Sequence, residues 1–214
     1  MLRRSCHIVT AFALIATAAC GSGSTSGFTA KPAPTPAGRI EQLAGLFDFE
    51  RDGTTAEGWY RVKDPIAGTN VRKRIEPVIH SSGRIYLRSV FRNTDWIYHD
   101  QVAVKIGDRE LESARIPASD GRNTRRVIQD AEYETRGNRR TERKRYIGET
   151  ILFTNGADNG ILNAIAADPS KPIELRFVGR ELSHTQTMSD DDKKRIAAGV
   201  ELAKLLRERQ PARP

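Results

Sequence analysis

Cysteine is almost absent from this chain. Its 214 residues include two cysteines, Cys6 and Cys20, and both lie close to the first residue. An exported domain stabilised by disulfides would carry an even set of cysteines along its length. Zinc sites built from several cysteine ligands are excluded for the same reason. The bulk of the chain must therefore form its core without covalent cross-links.

Long hydrophobic runs are absent as well. An apolar run at residues 8–19 has twelve residues, whereas a membrane-spanning helix needs about 20. Arg3 and Arg4 precede this run, and Ala18 and Ala19 close it directly before Cys20. A basic start, a short apolar run and small residues at its end are typical of a cleaved export signal.

The end of this run resembles the lipobox of bacterial lipoproteins, in which small residues precede a cysteine that is acylated after cleavage. The resemblance implies that Cys20 carries the lipid, with palmitate among the acyl chains. By the same resemblance to lipoproteins of two-membrane bacteria, Gly21 after the cysteine implies the outer membrane, with the domain facing the periplasm. Two or three acyl chains on one residue would anchor the protein stably. The alternative is an ordinary secretory signal that is cleaved near Ala19.

The composition along the chain predicts four segments. Residues 1–19 form the signal peptide, and residues 20–38 form the acylated cysteine with a flexible linker of Pro, Gly and Ser. Pro32, Pro34 and Pro36 alternate in this linker, which keeps such a segment extended. Residues 39–209 form a single globular β-rich domain, and residues 210–214 form a tail.

The net charge indicates which kinds of molecule the protein could bind. The chain carries 35 basic and 27 acidic residues and a net charge of +8. Cleavage of the signal would remove Arg3 and Arg4 and leave +6. A basic exported protein meets lipid phosphates, lipopolysaccharide, peptidoglycan carboxylates and acidic proteins. Nucleic acid is not expected as a partner outside the cytoplasm.

Period-two alternation predicts several strands in the domain. Ile85, Leu87 and Phe91 fall on one face of a strand. The opposite face of that strand is basic, with Arg84, Arg88 and Arg92. The turn residues at 93–95 then predict an antiparallel hairpin with the next strand. That strand aligns the apolar side chains of Trp96, Tyr98, Val102, Val104 and Ile106.

Further strands are expected at residues 58–62, 146–153 and 172–178, and Gly107 with Asp108 predicts a tight hairpin loop. Asp158 or Asn159 is expected to cap a short helix, and Ser189 a longer one near the C-terminus. The fold class predicted is α+β and mostly β. It consists of an antiparallel β-sheet or β-sandwich with a short helix and a C-terminal helix.

A second resemblance covers residues 55–208. It rests on five short motifs in order: residues 59–60, 87–88, 95–97, 104–108 and 176–179. Together with the polar-capped last helix, these resemble a loose group of uncharacterised bacterial and phage domains. The resemblance implies the fold and transfers no active site.

Residues suited to catalysis or metal binding are few. Beyond the signal the chain has three histidines, His80, His99 and His184, and none belongs to a zinc motif such as H-E-x-x-H. His99 and Asp100 are neighbours in a predicted strand and point to opposite faces, so they form no local dyad. The acidic residues 190–192 suit the first turn of a helix. We therefore predict no catalytic residues, no metal site and no cofactor.

The strongest charge feature is the segment 122–145, which contains nine basic and four acidic residues. Its candidate anion- or partner-binding residues are Arg136, Arg139, Arg140, Arg143, Lys144 and Arg145. Arginine forks bind carboxylate and phosphate through paired hydrogen bonds. A solvated loop that only keeps the protein soluble is the alternative interpretation, and the sequence does not show whether residues 112–145 are ordered.

These observations predict a lipid-anchored protein of the cell envelope that binds rather than catalyses. The expected partner is an anionic envelope polymer or an acidic protein, in addition to the membrane that the lipid enters. An inhibitor or immunity protein that blocks a hydrolase toxin in the periplasm is the alternative function, because it would show the same features.

Overall fold

The structure is a computed structural model that describes residues 35–63, 72–129, 133–137, 139–142 and 146–210. The predicted signal peptide, Cys20 and residues 20–34 of the linker lie outside these ranges. So do Arg143, Lys144 and Arg145 of the basic segment. The described residues form a mostly β structure with three helices, which confirms the predicted fold class.

The elements follow one another in this order. A helix, α1 (Pro36–Ala44), precedes the strands β1 (Phe47–Arg51), β2 (Gly58–Val62), β3 (Arg72–His80), β4 (Ile85–Asn93), β5 (His99–Ile106), β6 (Arg109–Glu112), β7 (Asn123–Gln129), β8 (Tyr133–Arg136), β9 (Arg139–Glu142) and β10 (Tyr146–Phe153). Helix α2 (Ile161–Ala167), strands β11 (Ile173–Gly179) and β12 (Ser183–Thr187), and helix α3 (Asp190–Arg209) complete the fold.

Two antiparallel sheets contain most of the strands. The larger sheet has the order β1-β2-β3-β4-β10-β7, and the smaller sheet has the order β12-β11-β5-β6. Strands β8 and β9 form a separate hairpin. The predicted loop at Gly107 is confirmed: Ile106 pairs with Arg109 across it, and Gly107 has a φ of +60°.

The predicted hairpin between β4 and β5 is wrong. Strand β4 pairs with β3 and β10 in the larger sheet, whereas β5 pairs with β6 and β11 in the smaller one. Residues 94–98 therefore carry the chain from one sheet to the other. The two apolar faces oppose each other across the core, and alternation alone cannot distinguish that arrangement from a shared sheet. Trp96 and Tyr98 consequently lie in this connection and not in a strand.

The main core lies between the two sheets. Phe91 of β4 and Phe177 of β11 contact each other with ring centroids 5.4 Å apart, and both are fully buried. Helices α2 and α3 extend this core through Ile165 and Ile196. A second apolar cluster joins α1, β1, β2, β3 and the C-terminal half of α3.

The helix boundaries follow from local chemistry. Thr35 caps α1, and Pro36 stands in the first turn, where its missing N–H costs no hydrogen bond. This helix begins within the predicted linker. Ser189 caps α3 as predicted, with its Oγ accepting from the Asp192 amide at 3.1 Å. Gly160 occupies the N-cap position of α2, but the Asp158 carboxylate accepts from the Leu162 amide in the first turn at 3.3 Å, as the predicted cap at Asp158 would.

None of the described helices is long and apolar enough to cross a membrane.

Candidate anion-binding site

Part of the predicted basic segment forms a hairpin. Arg136 ends β8 and pairs with Arg139 at the start of β9, with Gly137 at a φ of +60° between them. Arg140 pairs with Thr135 one position further along. The sequence therefore located a turn flanked by arginines. Whether these arginines bind a partner stays a prediction.

A second group of arginines lies on the outer face of the larger sheet. Arg72 of β3 is the register partner of Arg92 of β4, and Arg92 in turn is the partner of Gly148 in β10. Gly148 is also the partner of Arg126 in β7. Register partners point to the same face of a sheet. Three arginines therefore stand in one row across four strands, with a glycine at the third position.

These arginines surround a pocket with a volume of about 380 Å³. Its wall residues are Arg72, Arg88, Arg92 and Arg126, together with Val90, Thr124, Gly148 and Thr150. We call this set the arginine pocket. The side chain of Ile128 covers Gly148 between Arg92 and Arg126: a Cβ atom at Gly148 would lie 2.9 Å from Ile128 Cδ1.

A buried ion cluster holds one wall of the arginine pocket. Glu76 is 2% exposed and contacts both Arg74, at 2.5 Å between Nη2 and Oε2, and Arg88. Burial lowers the pKa of the Arg74 guanidinium, although the adjacent Glu76 carboxylate opposes that effect. Arg88 is thereby fixed at the pocket with its side chain 25% exposed.

The outer face of these four strands is strongly basic. Its described residues include five arginines, namely Arg72, Arg74, Arg88, Arg92 and Arg126. Arg126 is exposed, and Thr124 and Thr150 bring hydroxyl groups to the same pocket. Guanidinium groups donate hydrogen bonds in a fixed planar fork that matches carboxylate and phosphate oxygens. The arginine pocket is therefore suited to an anion.

The sequence located only part of this site. Alternation placed Arg88 and Arg92 on one face of β4, as the structure has them. Arg72 and Arg126 come from strands that lie far apart in sequence, and β10 separates β4 from β7 in the sheet. No local pattern gives that order. The nearest signal was the excess of arginine in residues 122–145, to which Arg126 belongs.

A serine, a histidine and a glutamate also meet inside the core. Ser89 Oγ lies 2.9 Å from His99 Nε2, and His99 Nδ1 lies 3.1 Å from Glu149 Oε2. These are the distances of a hydrolase triad, but all three residues are 0% exposed. A substrate cannot reach the Ser89 hydroxyl in this arrangement. The His99 ring contacts Ser89 and Glu149, whereas the neighbouring Asp100 pairs with Arg115 at 2.7 Å.

The acidic start of α3 is explained by its own contacts. Asp190 pairs with Lys193 at 2.7 Å, and Asp192 pairs with Arg195 at 3.4 Å. In the part of the chain that the structure describes, no group of three or more His, Cys, Asp or Glu residues could hold a metal ion.

No protein-family model, no curated protein and no solved structure matches this chain. The resemblances to the lipobox and to the bacterial and phage domains stay predictions. Function is therefore inferred from the residues of the site.

Proposed function

We propose that this protein is a lipid-anchored binding module of the cell envelope, and that the arginine pocket binds an anionic envelope component. The supporting observation is the row of arginines around one 380 Å³ cavity. Small-ligand pockets typically have volumes of about 300–1,000 Å³, so this cavity fits a phosphate or carboxylate group with its immediate substituents. The protein acts by binding and not by catalysis.

The location is proposed on the sequence alone. The export signal, Cys20 and Gly21 favour a protein anchored in the outer membrane that faces the periplasm. Phosphates and carboxylates are the anionic groups of that compartment's lipids and polymers. An arginine pocket would bind either group through charge-assisted hydrogen bonds, each worth about 1.5–3 kcal/mol.

The test is a comparison of three variants of the full-length protein in detergent. The probes are tripolyphosphate and citrate, and the measurement is Kd by calorimetry at low and high salt. We expect Arg92→Gln/Arg126→Gln to weaken binding at least about tenfold, because two charge-assisted contacts are lost. Added salt should weaken binding by the parent protein as well.

A matched control removes two charges elsewhere. Arg51 and Arg109 are exposed residues of β1 and β6, so Arg51→Gln/Arg109→Gln lowers the net charge equally and leaves the arginine pocket intact. We expect this control to keep the parent Kd to within about twofold. An equal loss of binding in both variants would mean that net charge, and not the pocket, binds the anion.

The third variant tests the hairpin. Arg136, Arg139, Arg140 and Arg143 are changed together to serine. If only this variant loses binding, the anion site is the basic segment that the sequence predicts and not the arginine pocket. Capture of one envelope protein that survives high salt, with no binding of either probe, would instead favour the inhibitor or immunity function.

A further inference from the structure

A second cavity lies at the connection between the two sheets. It has a volume of about 450 Å³, and its wall includes Trp96, Ile97, Tyr98, Arg125, Arg180 and Leu182. Arg125 precedes Arg126 in β7, so their side chains point to opposite faces of the larger sheet. The second cavity, which we call the aromatic pocket, is therefore separate from the arginine pocket.

Two aromatic rings form one wall of the aromatic pocket. The rings of Trp96 and Tyr98 are stacked, with centroids 5.9 Å apart and planes inclined by 20°. The guanidinium of Arg125 lies 5.4 Å from the centroid of the Tyr98 ring. Tyr98 is 53% exposed, and Leu182 beside the pocket is 59% exposed. Large apolar side chains that gather at the mouth of one cavity are typical of a binding site.

The backbone at Tyr98 is strained. Its φ is +54°, a region that bulky residues rarely adopt and that costs on the order of 1–3 kcal/mol. The Glu149 carboxylate stabilises this conformation by accepting hydrogen bonds from three successive amides, of residues 97–99, at 2.8, 3.0 and 2.7 Å. Strain held in place by a buried group points to a functional position for the ring.

The charges around the aromatic pocket nearly cancel. Arg125 and Arg180 contribute two cations, and Asp100 and Glu181 contribute two carboxylates. Asp100 is already paired with Arg115 at 2.7 Å, and Arg125 Nε lies 3.8 Å from Glu149 Oε2. This balance contrasts with the arginine pocket and does not favour a strongly charged ligand. The wall does offer both hydrogen-bond donors and acceptors beside the aromatic pair.

We propose that the aromatic pocket binds a neutral saccharide. Tyr98 stacks on Trp96 and is itself covered by the Arg125 guanidinium. A sugar ring has an apolar C–H face that can lie on Trp96, whose position Tyr98 supports from behind. Its hydroxyl groups both donate and accept hydrogen bonds, so they match the guanidinium of Arg180 and the carboxylate of Glu181 at the mouth of the pocket. The ligand class follows from the combination of an aromatic pair with polar groups of both signs.

The experiment uses the fluorescence of Trp96, which lies in the aromatic pocket, to report glycan binding. The chain has two tryptophans, and Trp59→Phe in the full-length protein leaves Trp96 as the single one. The probes are tri-N-acetylchitotriose, cellotriose and maltotriose, each titrated while tryptophan fluorescence is recorded. We expect a saturable change with at least one of the three glycans.

The decisive variant is Tyr98→Asn in the same background. Asparagine tolerates a positive φ, so the backbone is kept while the ring is removed. We expect the affinity for the glycan to fall at least about tenfold. Phe49→Asn is the matched control, because Phe49 is another exposed aromatic residue, 42% exposed and remote in β1. This control should bind as the Trp59→Phe protein does.

Two results would overturn the proposal: no saturable Trp96 response to any of the three glycans, or undiminished affinity in the Tyr98→Asn variant with its fold confirmed by circular dichroism. Arg92→Gln/Arg126→Gln should leave glycan binding unchanged, and Tyr98→Asn should leave tripolyphosphate binding unchanged. Failure of this proposal is therefore distinguishable from failure of the anion site.

Discussion

At the scale of single residues, Glu149 determines the most unusual local geometry. Its carboxylate is fully buried, yet His99 and three backbone amides surround it with hydrogen bonds. Since a carboxylate only accepts, the Nδ1 atom of His99 must donate to it. A buried charge is tolerated when its lone pairs are satisfied in this way. Glu149 therefore links the core to the connection that carries Tyr98.

Changing Glu149→Gln should destabilise the fold. The amide group keeps the size of the side chain but removes the charge and replaces one acceptor with a donor that faces backbone amides. We expect the free energy of unfolding to fall by about 2 kcal/mol, measured by urea denaturation. The exposed Glu181→Gln is the control and should change stability by less than about 0.5 kcal/mol. Equal stability of the two variants would contradict the role assigned to Glu149.

At the scale of elements, the packing of α3 on β3 depends on a glycine. Gly199 is buried in the middle of this 20-residue helix. A Cβ atom at this position would lie 2.6 Å from Pro77 Cγ and 2.9 Å from Pro77 Cβ. Both distances are too short for carbon atoms in contact, so the helix approaches the strand closely only because the side chain is missing.

Changing Gly199→Ala therefore sets two effects against each other. Alanine favours a helix over glycine by about 1 kcal/mol, whereas overpacking in a buried contact typically costs about 1–3 kcal/mol. The rigid proline ring cannot move aside easily, so we expect a net loss of stability and a lower Tm in thermal unfolding. A higher Tm would show that the contact between α3 and β3 relaxes without cost.

The positions of the strands were easier to predict from the sequence than the strands that each of them pairs with. Alternation located β4, β10 and β11 because period two is a local property of the residues. It could not show that β4 and β5 belong to different sheets, since sheet membership depends on strands distant in sequence. For the same reason the sequence located arginines on β4 but not the row that Arg72 and Arg126 complete. The contacts among Ser89, His99 and Glu149 could not be predicted either, because these residues lie on three different strands.

At the scale of the whole molecule, the free energy of unfolding should fall as the pH is lowered. Burial by itself raises the pKa of the Glu149 carboxyl, but hydrogen bonds from the His99 ring and from backbone amides outweigh it and hold the pKa below its usual 4.5. A lowered folded-state pKa contributes stability that is complete above the unfolded value and is lost as pH falls through the folded value. In acid the 35 basic residues also repel one another with fewer carboxylates to offset them.

The difference between the parent and Glu149→Gln isolates the contribution of this residue, because every other carboxylate titrates in both proteins. We expect the difference in free energy of unfolding to be constant above pH 4.5 and to shrink as pH falls below it. Urea denaturation over a series of pH values measures it. A difference that stays constant into strong acid would mean that charge on Glu149 is not what stabilises the connection.

The two edges of the larger sheet lie beside different parts of the chain. The chain enters the fold at α1, which packs beside β1 at one edge, while β7 with Arg125 and Arg126 forms the other edge. Five strand spacings, about 24 Å, separate these edges. The arginine pocket spans β3 to β7, and the aromatic pocket borders β7. The proposed tether would leave from α1, so it and the proposed ligands would not compete for the same surface. On the proposed function, the protein would be held beside β1 and would bind its ligands between β3 and β7.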